Sequence, residues 1–290
     1  MRKLLGNGRR YAQRVGRWAV ILWQLRGCAW RDELKLLASA AASPVLAFRD
    51  LSTWQDPVLL FDTCVRVRRI GVFHVRHRTD DLWHILPWRE QGIHDALERL
   101  LQPGDVFVDA GANVGVYTLL ASRLVGPAGH VLAIEMMPDT AALLRRHIAE
   151  NGCANVEIVE KALSGRAGET VTARVPRGRH GQASVANTAK PLIAYNEYPV
   201  RTTTLDDAAR GLKRIKVLKL DVEGAELQAL AGGQAMLTRT EKVIYESHTA
   251  SDALAQTLKR AGFEVSTSLG KDRLAERAGN HADSSVAHRE

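Results

Sequence analysis

Two acidic residues flank a turn of small residues at spacings that could bind a small ligand. The segment VFVDAGANVGVYT holds an apolar strand, a sharp turn and the start of a helix. Four of its residues could contact a ligand: Asp109, Gly111, Asn113 and Gly115. Glu135 ends the next apolar segment, 24 residues after Gly111. An acidic residue about 20 residues beyond such a turn can accept hydrogen bonds from the hydroxyls of a ribose.

The glycine spacing excludes a dinucleotide-binding turn. That turn needs G-x-G-x-x-G, but the second and third required positions after Gly111 hold Asn113 and Val116. The carboxylate of Asp109 would repel a pyrophosphate, which prefers bare helix N–H groups, and would attract cationic groups. An NAD-linked oxidoreductase is therefore disfavoured. The favoured ligand is a nucleoside joined to positive charges, and S-adenosyl-L-methionine, with its ammonium and sulfonium, fits this description.

Apolar segments that alternate with helical patterns predict a parallel sheet with helices on both faces. Strands are expected at VFVDA, HVLAIE, VEIVEKAL, IKVLKLDVE and KVIYESH, which begin at residues 106, 130, 156, 215 and 242. Helices are expected near residues 114–125, 138–150, 224–238 and 251–261. The fold class is a doubly wound α/β domain, and its ligand site is expected beyond the carboxyl ends of the strands.

The region before this core is strongly basic. The protein has 290 residues and a formal net charge of +8; seven basic and no acidic residues in 1–26 contribute +7, which leaves +1 for the rest. Helical spacing of apolar residues predicts a basic amphipathic helix there, with an apolar run far too short to span a bilayer. Three interpretations stay open: packing on the protein's own core, peripheral membrane contact through residues 1–30, and nucleic-acid contact.

The three cysteines predict free thiols. Cys28, Cys64 and Cys153 are far apart in the chain and follow no metal-ligand spacing. An odd number of scattered cysteines is typical of a reducing compartment. A cytoplasmic protein, in peripheral contact with a membrane if the basic helix serves that purpose, is the expectation.

Several segments together resemble the FkbM family of class I S-adenosylmethionine-dependent methyltransferases. They are PGDVFVDAGANVGVYT, VLAIEMMPDTAALLRRHIAENG, VEIVEKALSG, GQASVA, TTTLDD, KLDVEGAELQAL and VIYESH, and they cover roughly residues 90–265. The resemblance implies a Rossmann-like, mostly parallel sheet with an N-terminal helical and hairpin extension. It also implies O-methylation of a hydroxyl on a sugar, glycolipid or secondary metabolite.

The resemblance also assigns cofactor contacts. It places four turn residues at the methionine end of the cofactor: Asp109, Gly111, Asn113 and Gly115. It places Glu135 at the ribose, Ala162 near the adenine, and Asp221 between cofactor and substrate. Met136 stands where the family usually has proline, and its flexible thioether would still pack against the adenine.

Four parts of the chain follow from these patterns. Residues 1–50 are expected to form the basic helical arm, 51–102 a hairpin and a helix, 103–270 the methyltransferase domain, and 271–290 a polar, disordered tail. A class I sheet normally ends in an antiparallel strand, and none is recognisable after residue 269.

A hydroxyl acceptor gains from a general base, and Asp221 or Glu223 is the favoured candidate, with His248 in reserve. A metal held by Asp206, Asp221 and Glu223 is a weaker hypothesis, so no metal is predicted. The acceptor is expected to be a small molecule or a glycan- or lipid-linked hydroxyl. The insert at residues 172–200 offers polar contacts for it: Arg174, Arg177, Arg179, His180 and Ser184.

Two other classes of protein remain as alternatives. A methyltransferase-fold protein that only binds its ligand would show these same motifs. A nucleic-acid methyltransferase is less favoured, because the core is nearly neutral and lacks a tetrapeptide like Asn-Pro-Pro-Tyr.

Overall fold

The structure, a computed structural model, describes residues 16–49, 57–185, 194–246 and 253–279. Strands occupy about a third of these ranges. In chain order they are β1 (Leu25–Gly27), β2 (Thr63–Val67), β3 (Gly71–Val75), β4 (Val106–Ala110), β5 (His130–Ile134), β6 (Val156–Val159), β7 (Ala162–Leu163), β8 (Thr170–Pro176), β9 (Tyr195–Thr203), β10 (Ile215–Leu220), β11 (Thr240–Glu246), β12 (Phe263–Leu269) and β13 (Asp272–Arg277).

Helices fill most of the connections between these strands. Residues 16–24 are helical, and the further α-helices are Trp30–Arg49, Asp81–His84, Gln91–Leu100, Val116–Val125, Pro138–Glu150, Leu205–Ala208, Glu226–Ala231, Gln234–Thr238 and Ala253–Arg260. Short 3₁₀ turns are formed by Pro87–Glu90 and His180–Gln182. Within the described ranges, no helix combines the length and the apolar character needed to cross a membrane.

The central sheet has seven strands in the order β12-β13-β11-β10-β4-β5-β6. The pairs from β11 to β6 are parallel, and β13 is antiparallel to both of its neighbours. Helices cover both faces of the sheet, so side chains are buried on each: Val108 and Leu132 on one face, and Phe107 and Val131 on the other. The predicted doubly wound, mostly parallel sheet is confirmed.

The seventh strand lies where the sequence predicts a tail. The segment DRLAER forms β13 and inserts between β11 and β12, with Leu274 and Ala275 buried. The expectation of a polar tail from residue 271 is therefore wrong for residues 272–277. The strand has only two apolar residues, and charged side chains such as Arg277, whose guanidinium lies 4.4 Å from the Phe263 ring centre, cover the rest with their stems.

The predicted hairpin is present, but the basic arm is not a separate unit. β1 pairs with β2, which pairs with β3, so the boundary at residue 50 cuts through a three-stranded sheet. The spacing of apolar residues predicts a helix that continues past residue 24, but in the structure Leu25–Gly27 form the extended strand β1. For the described part of the arm, the interpretation of packing on the protein itself holds: Trp18, Ile21 and Leu25 are buried against this sheet. Residues 1–15 lie outside the described ranges.

Cys28 and Cys64 form a disulfide, so the prediction of free thiols is wrong for this pair. The two residues are 36 positions apart in sequence, but pairing of β1 with β2 brings their Cα atoms to 5.4 Å. The wide separation of these two cysteines in the sequence therefore did not imply that they are far apart in the fold. Cys153 is a free, buried thiol.

The N-terminal sheet is attached to the core through the end of helix Pro138–Glu150. The Asn151 side chain bonds both backbone groups of Val72 at 2.8 Å, in the manner of a neighbouring strand. The buried His147 accepts a hydrogen bond from the backbone N–H of His74 at 2.8 Å. β3 therefore runs along this helix towards the start of the helix, where Arg76 Nη2 donates to Thr140 Oγ1 at 3.4 Å beside the carboxyl edge of the central sheet.

The expected insert is a β-hairpin. β8 and β9 pair antiparallel over seven residues, and β9 also pairs with β7, which the sequence had merged with β6. Apolar side chains of this small sheet pack on Met137 and Ala162. This small sheet and residues 183–185 after it therefore lie beside the loop that follows β5.

Candidate active site

Loops that follow β4, β5 and β10 surround a cleft of about 500 Å³ at the carboxyl edge of the central sheet. Gly111 N and Ala112 N both donate to Ile134 O at 3.0 Å, and Asp221 N donates to Ala110 O at 3.0 Å. The chain progresses from β4 towards β6 on one side and from β10 towards β11 on the other. The cleft therefore lies at the switch point of the sheet, where such folds bind their ligands.

The two glycines of the first loop are required by the backbone. Gly111 has φ +83°, and a Cβ there would stand 1.8 Å from the carbonyl oxygen of Asp221. Gly115 has φ +91°, and a Cβ would meet the Leu144 side chain at 2.4 Å. Gly111 lines the cleft. Gly115 is not among the lining residues and begins helix Val116–Val125, so its role is to allow the turn.

Asn113 and Glu135 form the polar wall of the cleft. Glu135 accepts hydrogen bonds from Asn113 N and Met137 N, each at 2.9 Å, and burial raises the pKa of its carboxyl. Each carboxylate oxygen keeps a second lone pair for a ligand hydroxyl. The side-chain oxygen of Asn113 is buried and has no hydrogen-bond partner in the described part of the chain. It is an acceptor that a ligand ammonium would satisfy.

The opposite wall is apolar. Met136 and Ala162, both predicted cofactor contacts, line it together with Ala183 and Val185. Met136 packs on the cluster that joins the β5 loop to the insert. An apolar wall of this kind suits a flat, apolar ring system better than a highly charged group.

Asp109 lies beneath the cleft and does not line it. Its side chain is fully buried, accepts a hydrogen bond from the Thr118 hydroxyl at 2.6 Å, and has Lys219 Nζ 3.9 Å from its other oxygen. Burial raises its pKa against the effect of Lys219. The sequence argument linked Asp109 to a cationic ligand, but its nearest cation belongs to the protein itself.

Lys219 joins Asp109 to Asp221, and sequence analysis missed it. Its ammonium is buried and lies 3.2 Å from Asp221 Oδ2. Although burial opposes ionisation, the charge of Lys219 holds the pKa of Asp221 below its usual range. The signal that could have identified Lys219 was a charged residue one position before the end of the mostly apolar strand IKVLKL. Asp221 itself lines the cleft, as expected.

Glu223 has an unusual backbone conformation and a carboxyl with a raised pKa. Its φ is +50°, and the loop is held by Glu226, which accepts from Val222 N at 3.1 Å and Gly224 N at 3.0 Å. Burial, with the nearby charges of Asp221 and Glu246, raises the pKa of Glu223 to about 8. A carboxylate that titrates near neutral pH in a cleft is suited to proton transfer.

A second cavity, of about 460 Å³, adjoins the cleft and is mostly polar. The two share Gly111, Asn113, Gly181, Asp221 and Glu223. The wall that is new to the second cavity includes ionisable side chains from before and after β4: His84, Arg89, Glu90, Tyr117 and Lys219. Residues 84–90 could not be assigned to the site from the sequence, because nothing in their spacing shows that the N-terminal region folds over this edge.

These side chains form a hydrogen-bonded network. Glu90 accepts from the Tyr117 hydroxyl and pairs with Arg89 at 3.0 Å and with Lys271 at 3.1 Å. Although burial opposes ionisation, Arg89 and the other donors lower the pKa of Glu90. Arg89 also lies 2.7 Å from His84 Nδ1. The cavity therefore presents fixed charges of both signs.

The 3₁₀ turn His180–Gln182 of the insert borders both cavities. Asp80 accepts from Gly181 N at 3.3 Å, and Asp80 N donates to Gly178 O at 3.1 Å. The His84 ring packs closely on Gly181, since a Cβ there would stand 2.0 Å from His84 Nε2 and the ring would have to move. His180 lines the cleft, whereas Arg174 pairs with Glu197 and Ser184 donates to Glu223 O at 2.5 Å.

Two predicted candidates do not join the site. Asp206 accepts from Met236 N at 2.6 Å and Ala235 N at 3.2 Å, and so holds the start of helix Gln234–Thr238. In the described ranges, no three His, Cys, Asp or Glu side chains converge to hold a metal, so Asp206, Asp221 and Glu223 do not form the metal set considered above. His248 lies outside the described residues.

The chain is similar in sequence to known methyltransferases. The chain is 30% identical to 31-O-demethyl-FK506 methyltransferase FkbM of Streptomyces tacrolimicus over 57% of this chain and 75% of that relative. It is 26% identical to hexuronic acid methyltransferase AglP of Haloferax volcanii over 66% of this chain and 77% of that relative. Two other curated relatives are matched over 15% and 10% of their lengths.

A crystal structure of methyltransferase FkbM from Methylobacillus flagellatus is 18% identical, with a TM-score of 0.38 over 67% of this chain and 53% of that one. The model of the methyltransferase FkbM domain matches residues 109–265, which is more than half of the chain. This match contains the loops after β4, β5 and β10 and the insert. The chain therefore belongs to the FkbM methyltransferase family, whose members use S-adenosyl-L-methionine as methyl donor.

Proposed function

We propose that the protein transfers a methyl group from S-adenosyl-L-methionine to a hydroxyl of a polyhydroxylated small molecule, such as a sugar ring or a hydroxylated secondary metabolite. The observation that carries the proposal is the junction of the two cavities at Asp221 and Glu223. One cavity has the chemistry of a nucleoside site and the other that of a polar acceptor site.

The donor side rests on the groups that the cleft leaves available. Glu135 keeps lone pairs for ribose hydroxyls, and Met136 and Ala162 supply an apolar wall for adenine. The buried oxygen of Asn113 and the carboxylate of Asp221 would bind the ammonium at the methionine end. Asp109 would act through Lys219 and the loop rather than by contact. When bound, the cofactor supplies an electrophilic methyl group.

The acceptor side rests on the mixed polarity of the second cavity. Arg89 donates hydrogen bonds and Glu90 accepts them, while the sugar-like hydroxyl groups of an acceptor can do both. The two curated relatives are named for 31-O-demethyl-FK506 and for hexuronic acid. These names support a hydroxyl-bearing acceptor and leave its identity open between a sugar and a secondary metabolite.

Glu223 is the proposed general base. Its carboxylate lines both cavities, and with a pKa of about 8 a useful fraction is ionised at neutral pH. It would take the hydroxyl proton while the acceptor oxygen forms its bond to the methyl carbon; the bond from that carbon to the sulfonium sulfur would break, and a neutral thioether would leave. Holding the acceptor in line with the donor is the other task of the site, and the fixed side chains of Arg89 and Glu90 suit it.

The direct test is transfer of labelled methyl from S-adenosyl-L-methionine into an extract of the source organism. The expected product carries the label as a methyl ether on a small molecule or glycan. Label in RNA or DNA would instead assign a nucleic-acid methyltransferase. Cofactor binding without any labelled product in the extract would assign a binding-only protein.

Isothermal titration separates the donor site from the reaction. Glu135→Ala is expected to weaken S-adenosyl-L-methionine binding about tenfold to a hundredfold, because hydrogen bonds to a charged group contribute about 1.5–3 kcal/mol each. Met136→Leu keeps the apolar wall and is the matched control, with affinity within about threefold of the parent. Equal affinities in Glu135→Ala and the parent would remove the ribose assignment.

A further inference from the structure

The described part of the chain exposes large apolar side chains almost only near its N-terminal end. Six of the seven such residues lie between positions 20 and 61, and the seventh is Leu227. We define the N-terminal apolar surface as these six: Val20, Trp23, Trp30, Leu34, Leu37 and Phe61. Single exposed apolar residues are ordinary, but a concentration of them marks an interaction site.

Helical spacing places these residues on shared faces. Trp30, Leu34 and Leu37 follow the i, i+4, i+7 pattern in helix Trp30–Arg49, opposite the buried Leu36 and Ser39. The helix thus has a core-facing side and a second apolar side that faces solvent. Val20 and Trp23 stand three positions apart in the preceding helical residues. Trp23 and Trp30 are 70% and 69% exposed, which is costly for the largest apolar side chain.

Close contacts fix these elements to one another. The Cys28–Cys64 disulfide links the segment between the two helices to β2. Lys35 Nζ donates to Asp62 O at 2.9 Å, so the residue next to Phe61 is held against helix Trp30–Arg49. The N-terminal apolar surface is therefore carried on a rigid frame.

Positive charge accompanies the apolar residues. Arg26 and Arg66 stand opposite each other in the β1–β2 pair, and both are exposed. Arg26 Nη1 donates to Leu22 O and Leu25 O, but these neutral carbonyls leave the two positive charges opposed, and an anion over them would offset the repulsion. The guanidinium of Arg31 lies 5.3 Å from the ring centre of Trp30. Residues 1–26 contain seven basic and no acidic residues.

We propose that the N-terminal apolar surface docks on an anionic lipid bilayer. Tryptophan side chains prefer the interface of a bilayer, where their apolar body is buried and their N–H stays wet. The arginines beside them would contact lipid phosphates and strengthen binding to an anionic surface. Contact of this kind places the helix on the membrane rather than through it. It would bring a lipid-linked acceptor to the enzyme, although the docking does not depend on the proposed reaction.

Vesicle flotation with the full chain tests the docking. The probes are vesicles of phosphatidylcholine alone and vesicles that also contain phosphatidylglycerol. We expect binding to the anionic vesicles, at least about tenfold weaker binding to the neutral ones, and a loss of binding as salt is raised. Absence of binding to the anionic vesicles at low salt would overturn the proposal.

Paired variants locate the surface that binds. Trp30→Ser with Leu34→Ser is expected to reduce binding to anionic vesicles at least about tenfold. Leu227→Ser removes the exposed apolar side chain outside the surface and is the matched control, with unchanged binding. Circular dichroism confirms that both variants are folded. Equal losses in the two variants would overturn the assignment.

Two measurements distinguish other occupants of the surface. If Trp30→Ser with Leu34→Ser converts a dimer to a monomer in light scattering, the surface joins two copies of the chain and the proposal fails. Loss of RNA binding in that variant, with vesicle binding retained, would assign the surface to nucleic acid and also overturn the proposal. With the bilayer as occupant, addition of anionic vesicles shifts tryptophan emission of the parent to shorter wavelength, and the shift is reduced in Trp23→Phe.

Discussion

The ammonium of Lys219 lies 3.2 Å from the carboxylate of Asp221, in a position where the lysine is buried and the aspartate reaches the cleft. Asp109 completes the arrangement from below, 3.9 Å from the same ammonium. One buried cation thus serves two carboxylates, only one of which can touch a ligand. The Lys219 side chain therefore connects the motif at the end of β4, which contains Asp109, with the motif at the end of β10, which contains Asp221.

Lys219→Met is expected to destabilise the protein by about 3–5 kcal/mol, because it leaves the buried Asp109 carboxylate without a counter-charge. Urea unfolding at pH 7.5 measures the loss. The double variant Asp109→Asn with Lys219→Met removes both buried charges and should recover a large part of it. If Lys219→Met unfolds at the same urea concentration as the parent, the ion pair has no role in stability.

Gly111→Ala is expected to be far more disruptive than the same change at another glycine with positive φ. The new Cβ would stand 1.8 Å from the Asp221 carbonyl oxygen, so the two loops must move apart. Gly104 has φ +91° and nothing within 4 Å of its Cβ position, which makes Gly104→Ala the matched control.

The control should cost about 1 kcal/mol of stability from its backbone conformation alone and leave cofactor affinity unchanged. Gly111→Ala should abolish measurable binding of S-adenosyl-L-methionine in titration calorimetry. Comparable binding by the two variants would show that the loops can separate without loss of the site.

The rate of methyl transfer should rise with pH until Glu223 is ionised. With a pKa of about 8, its base form increases tenfold per pH unit below that value and levels off above it. The profile of kcat is therefore expected to have an acidic limb with an apparent pKa near 8. Glu223→Gln should lower kcat about 10²- to 10⁴-fold and lose this limb.

Glu246→Gln tests the cause of the raised pKa without touching the base. The charge of Glu246 is one of the influences that raise the pKa of Glu223. Removing it should move the acidic limb to lower pH while the plateau rate stays similar. A limb that remains in place would mean that a different group titrates.

The sequence was sufficient for the parts of the fold that have strong periodicity. β4, β5, β10 and β11 each contain a run of mostly apolar residues, which is the pattern of parallel strands buried on both faces. β13 could not be found in this way, since its sequence DRLAER has two apolar residues and owes its place to backbone pairing with β11 and β12. The disulfide could not be predicted for a related reason, because only the pairing of β1 with β2 brings Cys28 and Cys64 together.

The site was predictable where a residue has a position in a motif. Gly111, Asn113, Glu135, Met136, Ala162 and Asp221 all line the predicted cleft. The sequence could not show that Asp109 does not line the cleft. Successive strand residues point to opposite faces, and the sequence does not show which of them reaches the cleft. His84, Arg89 and Glu90 belong to no motif and reach the site through tertiary contacts, such as those of Asn151 and His147 with the N-terminal sheet and of Asp80 with the insert.

His147 should make stability depend on pH through that attachment. Its Nε2 accepts from His74 N and its Nδ1 donates to Val114 O at 2.8 Å, so the folded protein needs the neutral ring. Burial lowers the pKa of His147 from 6.5 to about 4. Between these values the unfolded chain binds more protons than the folded one, so the free energy of unfolding falls as pH falls from 6.5 to 4. The contribution is about 3 kcal/mol over that interval.

Urea unfolding between pH 4 and 6.5 measures this effect of His147. The free energy of unfolding should depend less steeply on pH in His147→Gln, whose amide can make both hydrogen bonds without titrating. Carboxylates titrate in both proteins and cancel in the difference, so parallel pH dependences for parent and variant would contradict the role of His147.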